Sequence, residues 1–139
     1  MQIIVYKPHE QNKEFYSIMG YYFAHKKYAY EMGGWKFYSK EGITTWFLAY
    51  VDNILVGFCA LFEETTHLFM DNFYIIKEYR GKGYSRTLFD YRLNYAKINF
   101  KKEIRAITDN VLQEKNYIRN NMEYYGLRGH YKKYRILIP

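Results

Sequence analysis

The sequence has little cysteine and no long hydrophobic run. A single cysteine, Cys59, among 139 residues excludes a disulfide framework and any multi-cysteine zinc site. The stretches without a charged residue, such as Ile43–Val51 and Ile54–Phe62, are all far shorter than the ~20 apolar residues that a transmembrane helix needs. The N-terminus lacks the basic and apolar regions of a signal peptide. We therefore expect one domain over residues 1–139, with no membrane contact, in the cytoplasm (of the host, if the chain is phage-encoded).

Charge is distributed unevenly along this basic chain. The net charge is +7, and residues 77–139 carry 15 of the 21 basic residues but only 6 of the 14 acidic ones. Residues 77–139 therefore hold the whole excess of positive charge. A one-sided basic field favours an anionic partner, either a nucleic acid or a phosphate-rich cofactor.

Hydrophobic periodicity predicts a strand, two helices and three strands in the first part of the chain. Met1–Lys7 has the β-rich content of a strand. Apolar residues then recur every three or four positions from Phe15 to Phe23, which predicts a helix. A second helix over His25–Met32 is expected to stop at Gly33–Gly34. Three strands separated by short polar turns follow as an antiparallel meander: Thr44–Val51, Ile54–Phe62 and His67–Ile76.

The second part alternates helices with strands. The pattern predicts a helix from Ser85, a strand over Glu103–Thr108, a helix over Asn110–Tyr125 that ends at Gly126, and a last strand over His130–Ile138. The element order is βαα-βββ-α-β-α-β. Because a strand–helix–strand unit requires a parallel crossover, we expect an α/β fold with a mixed, mainly antiparallel sheet and helices on both faces.

A glycine-rich basic segment joins the third meander strand to the following helix. This segment, Tyr74–Arg86, has the sequence YIIKEYRGKGYSR. Gly81 and Gly83 let the backbone approach a ligand closely and adopt positive φ, and the helix N-terminus offers unpaired N–H groups to an anion. Three side chains add positive charge: Arg80, Lys82 and Arg86. The P-loop pattern is absent. The segment therefore predicts a pyrophosphate cradle, with a plain strand-to-helix turn as the alternative.

The motif Arg80-x-x-Gly83-x-Ser85 resembles the (Gln/Arg)-x-x-Gly-x-(Gly/Ala) signature of the GNAT N-acetyltransferase superfamily, and the element order is similar to that of the family. The resemblance implies acetyl-CoA as the cofactor. It also implies that backbone N–H groups of the loop bind the pyrophosphate, from Arg80, Gly81, Lys82, Gly83, Tyr84 and Ser85. In the family the preceding strand bulges, separates from its parallel neighbour, pairs with the pantetheine arm and polarises the acetyl carbonyl. Here that strand ends at Phe73, Tyr74 and Ile75.

The C-terminal helix departs from the family pattern. Members often carry Tyr-x-x-x-Gly-Phe, with the tyrosine as general acid for the leaving thiolate. Gly126-Leu127 matches the last two positions, but Met122 stands at the tyrosine. Tyr125, one turn along the same predicted helical face, is our candidate acid, with Tyr124 or no side-chain acid as alternatives. The family's asparagine early in this helix corresponds to Asn116, or else to Asn110.

Acetylation of an amine needs a group that accepts its proton. Asp71 has the same two-residue parity as Phe73 and Ile75, which places it on their face of the strand unless a bulge intervenes. Glu63 and Glu64, in the preceding turn, are the rival bases.

The acceptor is the least defined part of the prediction. The resemblance implies that the first two helices and the meander turns shape its pocket, here the aromatic segment Phe15–Tyr38. The histidines show no metal-ligand spacing. We expect an N-acetyltransferase for a primary amine of a protein or small molecule, as a monomer or homodimer. Alternatives are an acceptor linked to RNA or DNA, or a non-catalytic nucleic-acid-binding scaffold. The nucleic-acid contacts would come from Arg128, Lys132, Lys133 and Arg135.

Overall fold

The computed structural model describes residues 1–32 and 36–137. The strands are β1 (Gln2–Tyr6), β2 (Thr44–Val51), β3 (Ile54–Glu63), β4 (His67–Ile75), β5 (Glu103–Thr108), β6 (Glu123–Arg128) and β7 (Tyr131–Ile136). The α-helices are α1 (Lys13–Ala24), α2 (Lys26–Glu31), α3 (Tyr84–Asn99) and α4 (Val111–Arg119). The predicted helix stop at Gly33–Gly34 and the predicted strand end at Ile138 lie outside the described residues.

The seven strands form one mixed sheet in the order β1-β2-β3-β4-β5-β7-β6. Its strand pairs are antiparallel except for β4 and β5, which run parallel. Helix α3 connects β4 to β5, as a parallel crossover requires. The predicted α/β fold with a mixed, mainly antiparallel sheet is confirmed, and no helix of the described chain is long and apolar enough to cross a membrane.

A hydrophobic core lies on each face of the sheet. On the face we call the α3 face, Leu88, Phe89 and Leu93 of α3 pack against sheet residues such as Phe47 and Met70. On the opposite face, which we call the α1 face, the core is dominated by aromatic rings: Tyr6, Phe15, Tyr28, Phe37, Trp46, Phe58, Phe62 and Tyr74. Much of the aromatic content of the chain therefore fills a core, while other rings of the helical segment, such as Tyr21 and Tyr30, are exposed.

The prediction of a helix over Asn110–Tyr125 is wrong, because α4 ends at Arg119. Asn121 adopts a left-handed φ of 60°. Its N–H donates to Ile118 O at 3.0 Å, and the N–H of Met122 donates to Tyr117 O at 3.0 Å. These two bonds form a Schellman motif, in which asparagine replaces the usual glycine. The chain then continues as β6, an additional strand that the predicted order lacked.

Candidate active site

Strands β4 and β5 pair at one end and separate at the other. The pairing joins His67–Met70 to Glu103–Ala106 and stops there, although β4 runs on to Ile75 and β5 to Thr108. Both strand ends point toward the glycine-rich loop, because β4 leads directly into it. The backbone of β4 beyond Met70 is therefore not paired with β5, and its polar groups on that side can bind a ligand.

A β-bulge at Asn72 marks the point where β4 separates. Asp71 pairs with Ala60 of β3 and Tyr74 pairs with Phe58, so β4 contains one residue more than β3 between these two pairs. Asn72 takes a left-handed φ of 58°, which asparagine tolerates better than most residues. Its buried amide accepts from the Tyr38 N–H at 3.3 Å and donates to the Tyr38 carbonyl at 2.7 Å. The bulge is thus fixed by the segment that precedes β2.

The bulge overturns the parity argument for Asp71. Met70 and Ile75 belong to the core of the α3 face and Phe73 packs against it, whereas Tyr74 belongs to the core of the α1 face. Since one residue is inserted at Asn72, Asp71 shares its side of the sheet with Tyr74 and not with Phe73 and Ile75. Asp71 therefore faces the α1 side of the opening.

Asp71 is held by a phenol. The hydroxyl of Tyr38 donates to Asp71 Oδ2 at 2.8 Å, and the Tyr38 ring stacks on Phe62 with ring centres 4.7 Å apart. Burial and the neighbouring carboxylate of Asp71 raise the pKa of Tyr38, so the phenol stays protonated and acts as donor. The rivals, Glu63 and Glu64, lie at the other end of β4, in ion pairs with Lys102 and Lys40.

The glycine-rich loop has the backbone that the sequence predicts. Gly81 and Gly83 have left-handed φ values of 77° and 84°, and a Cβ at either position would meet open space. Helix α3 begins at Tyr84, and its first turn offers N–H groups up to Arg86 before Thr87 N–H donates to Gly83 O at 3.4 Å. These N–H groups and the open space beside the glycines fit a pyrophosphate group.

Arg80 is directed away from this cradle. Its backbone N–H donates to Lys77 O at 3.3 Å, and its Nε donates to Ile75 O at 2.8 Å. Its Nη2 donates to Glu31 Oε2 at 2.7 Å, on the oxygen that also accepts from the Tyr74 hydroxyl at 2.9 Å. The Arg80 guanidinium holds the pKa of the Glu31 carboxyl below its usual range. Arg80 therefore ties the loop to α2, and the exposed Lys82 and Arg86 are left to face an anion.

The two candidate asparagines of the last helix have different positions. Asn110 caps α4 by accepting from the N–H groups of Leu112 and Gln113 at 2.9 and 3.1 Å. Asn116, which is buried, donates through Nδ2 to Ser85 Oγ at 3.3 Å. Of these two residues, Asn116 is the one that contacts the start of α3, beside the cradle.

The end of α4 reveals a tyrosine that the sequence interpretation missed. In the Tyr-x-x-x-Gly-Phe pattern the tyrosine precedes the glycine by four positions. Here Asn121, with its left-handed φ, stands at the glycine position, and the buried Met122 stands at the phenylalanine position. Tyr117, four positions before Asn121, therefore corresponds to the tyrosine of the pattern. Its buried hydroxyl donates to Ile107 O at 3.3 Å, in the part of β5 beyond its pairing with β4. The sequence signal for this helix end was the pair Asn120-Asn121. After glycine, asparagine is the residue that most readily takes the left-handed conformation that ends a helix.

Tyr125 does not lie on a helix. It belongs to the edge strand β6, which β7 separates from β5. Lys133 Nζ and the Arg135 guanidinium carbon each lie 4.7 Å from the centre of its ring. The helical premise for Tyr125 is wrong, and Gly126 occupies a strand bulge rather than a helix cap.

The C-terminal basic residues do not form a single surface. Lys132 approaches Glu114 of α4 at 3.1 Å on the α3 face. Lys133 and Arg135 lie beside Tyr125 on the opposite face, where Arg135 also approaches Glu123 at 3.4 Å.

Nucleophilic catalysis by the single cysteine has no geometric support. Cys59 is fully buried in β3, and burial raises the pKa of its thiol to about 11. A thiol that is neither ionised nor accessible is a poor nucleophile. Within the described ranges, no group of histidine, cysteine and acidic side chains could hold a metal ion.

This fold is shared with solved structures that include the N-acetyltransferase PseH. PseH of Campylobacter jejuni in complex with acetyl coenzyme A matches at a TM-score of 0.66 and 15% identity, over 98% of this chain and 99% of that one. ElaA of Escherichia coli matches at 0.70 and 12%, over 96% and 97%. A Bacillus subtilis acetyltransferase in complex with CoA matches at 0.68 and 14%, over 99% of both. At these identities the likeness establishes the fold.

The sequence itself gives the family. The family model described as the acetyltransferase (GNAT) family matches residues 5–116, which is most of the chain. The protein therefore belongs to the GNAT family of acetyltransferases, as the loop motif predicted. The expected cofactor is confirmed at the level of the family, since neighbours are solved with acetyl-CoA. A search of curated proteins finds no significant match.

Proposed function

We propose that this chain transfers the acetyl group of acetyl-CoA to a primary amine of a protein or small molecule. The observation that carries the proposal is the alignment of two features along one strand. The backbone of β4 is released from β5 after Met70, and the same strand leads into an anion cradle at Gly81–Arg86. A long ligand with a phosphate group at one end and an acyl group at the other fits this arrangement.

Each part of the site has a distinct task toward the donor. The N–H groups of Gly81–Arg86 would hold the pyrophosphate, with Lys82 and Arg86 adding charge. Asn116, through its contact with Ser85, steadies the start of α3. The freed backbone at Phe73, Tyr74 and Ile75 would pair with the pantetheine arm.

The chemistry requires one base and one acid. When bound, acetyl-CoA supplies an acetyl thioester, whose C–S bond breaks as the C–N bond to the acceptor forms, with the electron pair leaving on sulfur. Asp71 accepts the proton that the nitrogen loses, and the hydrogen bond from the Tyr38 hydroxyl fixes the orientation of its carboxylate. Tyr117 donates the proton that the sulfur gains. Burial raises the pKa of Tyr117, so its phenol is protonated at neutral pH.

The acceptor would reach Asp71 along the α1 face. The aromatic core of that face involves β1 to β4 and the segment before β2. Beyond it, on the same side of the sheet, β5 and β7 carry partly exposed charged side chains, including Arg105 and Arg135 at about one third exposure. This polar strip lies on the same side of the sheet as Asp71, so we expect a polar acceptor to approach along it.

Calorimetric titration with acetyl-CoA tests the proposal. We expect wild type to bind, and Gly83→Asp to weaken binding at least about 100-fold, because a carboxylate replaces open space in the anion cradle. Gly42→Asp is the matched control, since Gly42 has a similar φ of 78° and open space but lies in the turn before β2. Wild type that fails to bind, or equal affinity in Gly83→Asp, would overturn the proposal.

A further inference from the structure

Helix α3 carries a fully buried arginine beneath the β4 bulge. Arg92 is 1% exposed. Its Nη1 donates to two backbone carbonyls, Ala60 O at 3.0 Å and Asp71 O at 3.1 Å. Ala60 and Asp71 are the residues paired across β3 and β4 just before the register shifts. The guanidinium therefore binds the sheet at the point where β4 begins to separate from β5.

The charge of Arg92 has no carboxylate partner. Within residues 1–32 and 36–137 it forms no ion pair, and its buried Nε has no hydrogen-bond partner. The rings of Phe73 and Phe89 lie beside it, with their centres 5.2 and 5.5 Å from Cζ. A buried, unpaired cation lowers stability compared with an apolar side chain. Such a departure from good packing is expected where a residue has a function.

The hydrogen bond to Asp71 O acts on the peptide group at the bulge. That carbonyl and the N–H of Asn72 belong to one amide. A cation on the oxygen draws electron density from the nitrogen and makes the N–H a stronger donor, in the way that hydrogen bonds polarise one another in chains. This amide stands at the start of the released part of β4, at the end away from the anion cradle, where the acyl end of the proposed donor would lie.

We propose that Arg92 is a positioning residue that fixes the β4 bulge and, through the Asp71–Asn72 peptide, polarises the edge that receives the acetyl carbonyl. The proposal rests on the proposed function. It assigns to a buried arginine of α3 a role that no position of the loop motif includes. It also explains why a charged residue occupies an apolar position between Leu88 and Ala96 of α3.

The test compares Arg92→Met and Arg92→Lys with Leu93→Ala. Leu93 is the next residue of α3, is equally buried and belongs to the same core, so its variant controls for lost packing. The first readout is the infrared stretch of a ¹³C-labelled thioester carbonyl in bound acetyl-CoA. We expect Arg92→Met to move this band toward its position in free acetyl-CoA and to lower kcat roughly tenfold, while acetyl-CoA affinity changes little. Arg92→Lys should give an intermediate shift, and Leu93→Ala should keep the wild-type band.

The second readout needs no ligand. In the free protein, Arg92→Lys should shift the amide proton and nitrogen resonances of Asn72 more than those of Leu68–Met70, because the hydrogen bond to the carbonyl of the same amide is weakened. If Arg92→Met does not fold, Arg92→Lys decides both readouts. An unshifted carbonyl band with unchanged Asn72 resonances would overturn the proposal, as would an equal shift in Leu93→Ala. A wild-type protein that does not bind acetyl-CoA would instead refute the proposed function.

Discussion

The first half of β4, His67–Met70, pairs with β3 on one side and β5 on the other, whereas the second half, Asp71–Ile75, keeps β3 and leaves β5. The first half alternates buried and partly exposed side chains as a regular strand does. In the second half, Asn72 is an inserted residue with a left-handed φ, so Phe73 and Ile75 pack on the α3 face and Tyr74 on the α1 face. The insertion of Asn72 therefore divides the nine residues of β4 into a part that pairs on both sides and a part that pairs only with β3.

The polar contacts of the site gather on the second half. Asp71 and Asn72 bind Tyr38, Tyr74 binds Glu31, and the guanidinium of Arg92 binds the Asp71 carbonyl. The rival carboxylates, Glu63 and Glu64, lie beyond the first half, in ion pairs with lysines. The candidate catalytic groups of β4 therefore lie where its pairing with β5 is lost, because backbone that no neighbouring strand pairs with is free to bind a ligand.

The largest effect is expected at Asp71, the carboxylate of the released half. Asp71→Asn removes the proposed base while keeping a partner for Tyr38, so kcat for amine acetylation should fall by roughly 100- to 10,000-fold. Glu63→Gln, at the paired end, should leave kcat unchanged. Steady-state kinetics on both variants measures the two kcat values. Equal losses of kcat would show that the carboxylate of the released half has no special role in catalysis.

The next effect separates two tyrosines. Tyr117→Phe removes the proposed acid beside the released part of β5 and should lower kcat about 100-fold. Tyr125→Phe, on the edge strand, should change kcat less than about threefold, since losing a surface hydroxyl is worth little. Acetyl-CoA affinity should be unchanged in both. A larger loss of kcat in Tyr125→Phe than in Tyr117→Phe would show that Tyr125, the residue that the sequence suggested, is the general acid.

The smallest effect is on stability and depends on pH. Because Arg80 lowers the pKa of Glu31, the ionised carboxylate stabilises the folded state above the unfolded pKa of about 4.3. That stabilisation is lost as the pH falls through the lower, folded pKa. Glu31→Gln should therefore be less stable than wild type at pH 7 by no more than about 1 kcal/mol, since the pair is partly exposed.

Denaturant unfolding of the two proteins at pH 7 and pH 3 measures this difference. It should shrink at the lower pH. Glu41→Gln, in the exposed turn before β2, is the control and should match wild type at both. A Glu31→Gln difference that grows on acidification would contradict the assignment.

Local signals in the sequence predict much of the fold. The bounds of β2 (Thr44–Val51) and β5 (Glu103–Thr108) agree with the predicted strands, because polar turns and β-branched or aromatic runs are short-range features. Gly81 and Gly83 have the positive φ expected of them, since few other residues adopt it readily.

The sequence predicts the site less well where asparagine acts in place of glycine. Asn72 makes the bulge that reverses the face of Asp71, and Asn121 ends α4 early and brings Tyr117 to the site. Asparagine also occurs in ordinary helices and loops, so its left-handed conformation depends on tertiary contacts such as those with Tyr38. The sequence does not predict that Arg92 is buried, because a charged residue usually indicates a solvated position. Its four-residue spacing from Leu88 and Ala96 nevertheless places it on the apolar face of α3.

Amide hydrogen exchange along β4, with and without acetyl-CoA, shows whether the released half of the strand receives the ligand. If it does, acetyl-CoA protects Phe73–Ile75 and the loop Gly81–Arg86, while His67–Met70 exchanges as slowly without ligand as with it. The paired half needs no ligand to satisfy its N–H groups. Binding of acetyl-CoA without added protection at Phe73–Ile75, or with equal added protection in both halves, would show that the released half does not receive the ligand.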